Sequence, residues 1–450
     1  MIKKDGKPHN LLGNNKSDVD IFFLGGRKIS FWKVAHLLTS SSFGINAIFY
    51  ATWLGYLMGM WGMILQAVWC LSFLLFSHFS DKIYQSTSMH DFFGSKFGKL
   101  TRKIAVLCSI IGLLYFAGWE IGIAKSILES MSILTKSLGS ILVVLFVFIP
   151  IIYTTIGGQK TNSVIDEWLN SIKFCLLIFI IGSIILSNKN SLNFNLMFPQ
   201  IPVAIVAIGW FGLITNLIFN LSWQFVDNTS WQSVSSNKNQ PKKSLFFASG
   251  GVFIAYLLST LLGALLRGIP DLTSNNVFGG ITFGLSGAHQ IIMSFGIIIL
   301  VLLSMMSLID GISLSVSQSI SIDLGLINYF FKKPKLKFYL PRLLTIFAGI
   351  FAAWGVTFVV GLIGGGIFDF MYILIVFQLG LLGPVLVGLI SKNSSKNKLM
   401  WIPIVLSVTI GVISSIVGTT KGISYLIDGA GSITALLSII LSLMFFKIKL

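Results

Sequence analysis

Charge is what this chain of 450 residues has least of: Asp, Glu, Lys and Arg together make up 10% of it. A soluble domain carries about 25%. Cysteine is nearly absent too, and Cys70, Cys108 and Cys175 each lie inside an apolar run, with no disulfide or zinc spacing among them. They read as small buried hydrophobes. The histidines are scattered, so no cluster of them supports a metal site. Neither His-Glu-x-x-His nor Gly-x-Ser-x-Gly with a histidine partner occurs, which leaves a membrane-embedded hydrolase without its catalytic groups.

Apolar sequence fills the space. Hydrophobic residues make up 54% of the chain, the mean hydropathy is +0.87, and runs of about 20 residues, enough to cross a bilayer, recur throughout. Twelve spans fit, at 31–56, 57–79, 104–128, 138–157, 164–186, 203–225, 246–266, 290–322, 342–363, 367–390, 401–420 and 427–446. With the N-terminus in the cytoplasm, all but six of the 32 Lys and Arg fall at cytoplasmic ends or loops. Lys136, Lys189, Arg267 and Lys421 fall outside, and Lys125 and Lys173 lie within spans. That asymmetry orients the chain with both termini cytoplasmic. It also accounts for the formal charge of +17 without nucleic acid as a partner. The polar first 20 residues and the long run after them do not make a cleavable signal peptide.

The few polar residues inside the spans carry the functional information. Thr39-Ser40-Ser41-Ser42-Phe43-Gly44-Ile45-Asn46 interrupts span 1. Irregular backbone at membrane depth survives where it faces a protein-lined cavity, and a broken helix there offers carbonyls to a cation and N–H groups to an anion. The plainer reading is that these hydroxyls bond their own helix or let helices pack closely. Span 3 holds Glu120, expected in the bundle interior or near the outer surface. Asp166 and Glu167 open span 5, where capping of a helix N-terminus is the alternative to a ligand role. In span 6, Asn216, Asn220 and Gln224 recur every four residues and share one face. They form either a helix-joining row or a hydrogen-bonding strip for a solute. In span 8, Ser307, Asp310, Ser313 and Ser317 make one polar stripe around an intramembrane carboxylate. Between spans 2 and 3, the segment 80–103 sets Phe92, Phe93 and Phe97 among lysines and Arg102, and reads as an amphipathic helix lying in the membrane interface.

Four motifs in order give the chain a resemblance to the sodium:solute symporter family, which includes the sodium/proline and sodium/glucose carriers. Asp20-Ile-Phe-Phe-Leu-Gly-Gly-Arg27 resembles the family's Asp-Tyr-Phe-Leu-x-Gly-Arg. The run from Gly157-Gly158 to Asp166 is similar to its Gly-Gly-x-x-Ala-Val-x-x-Thr-Asp turn. Trp231-Gln232 to Lys238 resembles its Gln-Arg-x-Leu-Ala-Ala-Lys loop, with Ser233 in place of the arginine. Met306-Ser307 to Asp323-Leu324 resembles its Met-Ser-Thr to Asp-Leu run, with Leu308 in place of a hydroxyl.

The resemblance implies an all-α membrane protein of about twelve transmembrane helices. Its fold would be a leucine-transporter-like five-plus-five inverted repeat with two peripheral C-terminal helices and unwound segments near Ser42 and Asn220. Residues 1–30 would be a cytoplasmic arm, 31–390 the transporter core and 391–450 the peripheral helices. Carried over residue by residue, a sodium site would use carbonyls near Ser40, Phe43 and Ser304 and the Ser307 hydroxyl. A second cation site would use Asp166 and Asp310, a pair able to hold sodium or share a proton. Asn46, Gln66 and Asn220 match polar substrate positions, Trp223 an aromatic that closes the inner side, and Gln378 a position in span 10; Gln224 joins them from the span 6 row. The expected activity is sodium- or proton-coupled symport of a small polar solute (sugar, amino acid or urea-like) across the cell membrane, with the lipid bilayer as surroundings. The competing reading is a transport-inactive or sensory member of the same fold.

Overall fold

A computed structural model describes residues 17–131, 133–187, 194–267, 277–282, 287–329, 334–355, 371–391 and 397–446. Secondary structure among them is helical apart from one isolated bridge between Ile29 and Asn237. Among the described residues, eight helices are long and apolar enough to cross a membrane, and Ile375–Ile390 and Ala430–Phe445 are shorter apolar ones. Some of these hold more than one span. The helix Lys136–Ser187 has 52 residues, about 78 Å at 1.5 Å per residue against a hydrocarbon core of about 30 Å. It is turned at Gly158, where φ is 59° and ψ −150°, a region open in practice only to glycine. A Cβ there would also stand 2.1 Å from the Phe22 carbonyl oxygen. Spans 4 and 5 therefore meet at a glycine that no other residue replaces.

Span 1 is two helices, Phe31–Ser41 and Ile45–Met58, separated at residues 42–44. Ser30 caps the first by accepting from the Lys33 N–H at 3.4 Å. Span 2 is Gly62–Ser77, span 3 Lys99–Ser130 and span 7 Pro241–Leu266. Spans 1 and 7 cross closely, since a Cβ on Gly55 would lie 2.1 Å from the Thr260 carbonyl oxygen and one on Gly263 1.8 Å from that of Thr52. Small residues that let backbones touch are how membrane helices associate. Span 6 is Ile201–Val226, and the helix Asn228–Ser235 follows it. The helix is turned at Gly209, where φ is 73° and ψ 154°, runs unbroken through Asn220, and ends at Asp227. There the Asp227 carboxylate caps the next helix, accepting from the Thr229 and Ser230 N–H groups at 3.0 and 3.1 Å. A glycine tolerates the positive φ of the first break and an aspartate is a strong N-cap at the second, whereas an asparagine inside an apolar run is forced to be neither.

Span 8, Gly287–Gln318, runs through the middle of the bundle, and a π turn, Ser319–Asp323, ends it. Spans 4 to 6 turn Ile156, Trp168, Val206 and Trp210 outward, each more than 60% exposed, as lipid-facing side chains are. The first motif touches the second and the third. The Phe22 carbonyl lies against Gly158, Gln232 donates to the Phe23 carbonyl at 2.9 Å, and Arg27 donates to the Tyr84 carbonyl at 2.7 Å. The Asp323 carboxylate accepts from Arg102 at 2.7 Å and from Ser88, and lies 3.0 Å from His90 Nδ1.

The expected interfacial helix is present as Met89–Phe97, but its phenylalanines face protein. Phe92, Phe93 and Phe97 are buried, Phe92 against Trp231 with ring centroids 5.3 Å apart and Phe97 against Phe446. An amphipathic pattern states that one face is apolar and leaves open whether lipid or protein covers it. Here it is protein.

Candidate functional site: a charged cluster at the break in span 1

Breaking a helix leaves carbonyls without partners on one side and N–H groups on the other, with opposite ends of two helix dipoles facing the gap. In span 1 both ends are met by buried side chains from other spans. Gly44 stands at the N-cap of the second half and has no side chain to cap with. The Glu120 carboxylate, fully buried in span 3, takes its place, accepting from the Ile45 N–H and, at 3.0 Å, from the Asn46 N–H. A Cβ on Gly44 would lie 2.6 Å from Glu120 Oε1, so the glycine leaves room for the carboxylate.

On the carbonyl side stands Lys173 of span 5, also fully buried. Its Nζ donates to the Phe43 carbonyl at 3.0 Å and to the Ser307 hydroxyl at 2.9 Å, and lies 4.6 Å from the centre of the Phe43 ring. Asp166, Glu120 and Asp310 all lie within electrostatic reach of it. Asp166 accepts from the Ser40 hydroxyl at 2.7 Å, and Asp310 from the Tyr153 hydroxyl at 2.9 Å. Asp166 and Asp310 interact with each other inside the bundle. Asp166 is thus turned inward from mid-helix and caps nothing. In the polar stripe, Ser307 donates to the Ser304 carbonyl and Ser313 to the Asp310 carbonyl, while Tyr153 serves the Asp310 carboxylate.

The expected cation ligands are therefore brought together: Phe43 and Ser307 bond the Lys173 ammonium, Asp166 and Asp310 lie within its electrostatic reach, and Ser40 is bonded to Asp166. Ser304 contributes a carbonyl already taken by Ser307, and its own hydroxyl has no partner among the described residues. Leu308 points toward Gly44, 3.0 Å from where a Cβ would stand, and adds no oxygen. These residues do not fit sodium at the four-oxygen position, because two of the four oxygens accept from Lys173. Sequence reasoning missed Lys173, Glu120 and Tyr153 as members. An ionisable residue deep in a span was the available signal for the first two.

Among the described residues, the solute candidates are engaged in several places. Trp223 and Gln378 line a cavity of about 10 Å³ with Gly112, Tyr115, Phe116, Trp119 and Ile375. That volume is close to what one water needs. Asn220 donates to the Leu65 carbonyl at 2.8 Å, joining spans 6 and 2, and Asn46 accepts from the Ala47 N–H at 2.6 Å. Gln224 accepts from the Ser230 hydroxyl at 2.9 Å. Some amide capacity is left over: Gln66 Nε2, Gln224 Nε2 and Gln378 Oε1 are buried without a partner among the described residues. Trp223 is stacked on Trp69 with centroids 6.0 Å apart and packs on Phe116 and Phe219.

No protein-family model matches this sequence, and no curated protein matches it significantly. Solved structures do match in fold. A Na+-coupled sialic acid symporter in its substrate-bound outward-open state superposes over 95% of this chain and 92% of its own, with a TM-score of 0.73 at 15% identity. Mhp1, a nucleobase-cation-symport-1 family transporter in a closed conformation with bromovinylhydantoin bound, matches over 94% and 93%, with a TM-score of 0.61 at 12% identity. A manganese transporter of Eremococcus coleocola matches over 99% of both chains, with a TM-score of 0.55 at 14% identity. At such identities the likeness is one of fold. The chain has the leucine-transporter fold, a five-plus-five inverted repeat with peripheral C-terminal helices.

Proposed function

We propose that this chain is a secondary active carrier of the sodium:solute symporter type, moving a small polar solute across the cell membrane with a cation, sodium or a proton. The observation that carries the reading is the buried cluster at the span 1 break. Three carboxylates (Glu120, Asp166 and Asp310) face one ammonium, that of Lys173. A buried charge without compensation is costly enough that such a group neutralises or pairs. An arrangement short of positive charge inside an apolar bundle serves a cation that comes and goes, and Asp166 with Asp310 is its proposed place.

The solute site is proposed between spans 1, 2, 3, 6 and 10, at Asn46, Gln66, Asn220, Trp223, Gln224 and Gln378. The unspent amide groups of Gln66, Gln224 and Gln378 support it, as does the cavity beside Trp223 and Gln378. The N–H groups at the break could hold a solute carboxylate, but Glu120 already occupies them. This favours a sugar-like or urea-like solute over an amino acid. The orientation with both termini cytoplasmic belongs to the same proposal and rests on the distribution of Lys and Arg.

Counterflow in proteoliposomes loaded with unlabelled hexoses, urea analogues or amino acids tests it. Labelled solute should enter against its own gradient for at least one neutral class. For that solute, Gln66→Ala or Gln378→Ala should weaken apparent affinity tenfold to a hundredfold, the cost of about 1–3 kcal/mol for a lost buried hydrogen bond. Absence of counterflow across the panel would favour the transport-inactive reading.

A further inference from the structure

The resemblance implies sodium among the Ser40, Phe43 and Ser304 carbonyls and the Ser307 hydroxyl, and the residues at that position disagree. The geometry points to Lys173 as the resident cation of the broken helix, standing where a metal ion would stand, so that this position takes no sodium.

Each part of a cation site is accounted for by the lysine. The Phe43 carbonyl at the broken end and the Ser307 hydroxyl of span 8 are its acceptors, at 3.0 and 2.9 Å. The Phe43 ring presents its face to the same nitrogen at 4.6 Å, a favourable placement for a cation. Asp166, Glu120 and Asp310 lie within electrostatic reach of it and supply the counter-charge a buried ammonium requires. The other expected ligands are engaged elsewhere. The Ser304 carbonyl accepts from Ser307, the Ser40 carbonyl from the Phe43 N–H at 3.1 Å, and the Ser40 hydroxyl is turned to Asp166. Leu308 brings methyl groups where a hydroxyl would complete a metal shell. A metal bound to both Phe43 and Ser307 would press one positive charge against another. Dissolved sodium would also compete with a cation held in place covalently, at a high effective concentration.

The inference takes its setting from the carrier reading but is tested by binding, which needs no transport. Equilibrium binding of radioactive sodium to the purified full chain in detergent is measured for wild type, Ser307→Ala, Lys173→Met and the double variant Lys173→Met with Ser307→Ala. Melting temperatures are taken in sodium and in choline. Wild type should show no sodium binding that Ser307→Ala removes. Lys173→Met keeps the stem and drops the charge; it should gain saturable sodium binding and a melting temperature that rises with sodium. The double variant should lose both gains. Wild-type binding that Ser307→Ala abolishes would overturn the inference, even if Lys173→Met fails to fold. A folded Lys173→Met that gains no sodium binding would overturn it as well. Wild-type binding that ignores Ser307→Ala but disappears in Asp310→Asn would support it, placing sodium at the neighbouring carboxylates.

Discussion

At the scale of single residues, the break in span 1 is stabilised by two ionisable side chains that lie far from it in sequence. Glu120 stands in for the cap that Gly44 cannot provide, so Glu120→Ala leaves the buried Ile45 and Asn46 N–H groups without acceptors. The expected loss is about 1–3 kcal/mol for each such group, read as a fall in melting temperature. Gly44→Ala acts on the same contact, since its Cβ would stand 2.6 Å from Glu120 Oε1. The two variants should therefore combine to less than the sum of their separate costs; full additivity would show that the carboxylate and the glycine are independent. The polar run from Thr39 to Asn46 made the break legible in the sequence, because serines and a glycine stand out within an apolar segment. The partners were not legible. Periodicity assigns Glu120, Lys173 and Tyr153 to faces of their helices, and only the packing of spans 3, 4 and 5 against spans 1 and 8 says which faces meet.

At the scale of elements, patterns that record only polarity misled where the covering material mattered. The Met89–Phe97 helix has an interfacial signature, yet its phenylalanines are core residues. Phe93 is fully buried, so Phe93→Ala should cost about 3–5 kcal/mol, as seen by thermal denaturation. A membrane anchor would lose little. The same helix is held by polar contacts to the end of span 8, where Asp323 meets Arg102 at 2.7 Å, His90 at 3.0 Å and Ser88. Asp323→Ala removes the acceptor of Arg102, Ser88 and His90 together, while Arg102 keeps Asp91 at 3.7 Å, and should destabilise by about 1–3 kcal/mol. The double variant Asp323→Ala with Arg102→Met should cost less than the sum of the two single variants, because both remove the same contact. The amide row of span 6 shows another limit of the pattern. The spacing placed Asn216, Asn220 and Gln224 on one face, and they are indeed engaged together. Asn216 accepts from Tyr50 of span 1, Asn220 bonds span 2, and Gln224 bonds Ser230 past the Asp227 break. Which of them is free for a solute depends on the neighbours, and spacing does not carry that.

At the scale of the molecule, length and hydropathy were enough to give an all-helical membrane bundle. The order of four short motifs indicated its architecture, and the structure brings the first of them against the second and the third. The proposed coupling site is where this chain departs from the pattern it resembles. Leu308 removes a hydroxyl, Asp310 adds a carboxylate, and Lys173 fills the place between them and the broken helix. If a travelling cation compensates the cluster, Asp310 is the residue whose charge ties that cation to movement of the solute. The most direct measurement is uptake into proteoliposomes under sodium and proton gradients imposed separately, using a solute identified by counterflow, for wild type and Asp310→Asn. The account expects wild type to accumulate solute under one of the two gradients and Asp310→Asn to lose that accumulation while still exchanging solute. Gradient-driven accumulation in Asp310→Asn equal to that of wild type would contradict it, whichever ion drives the uptake.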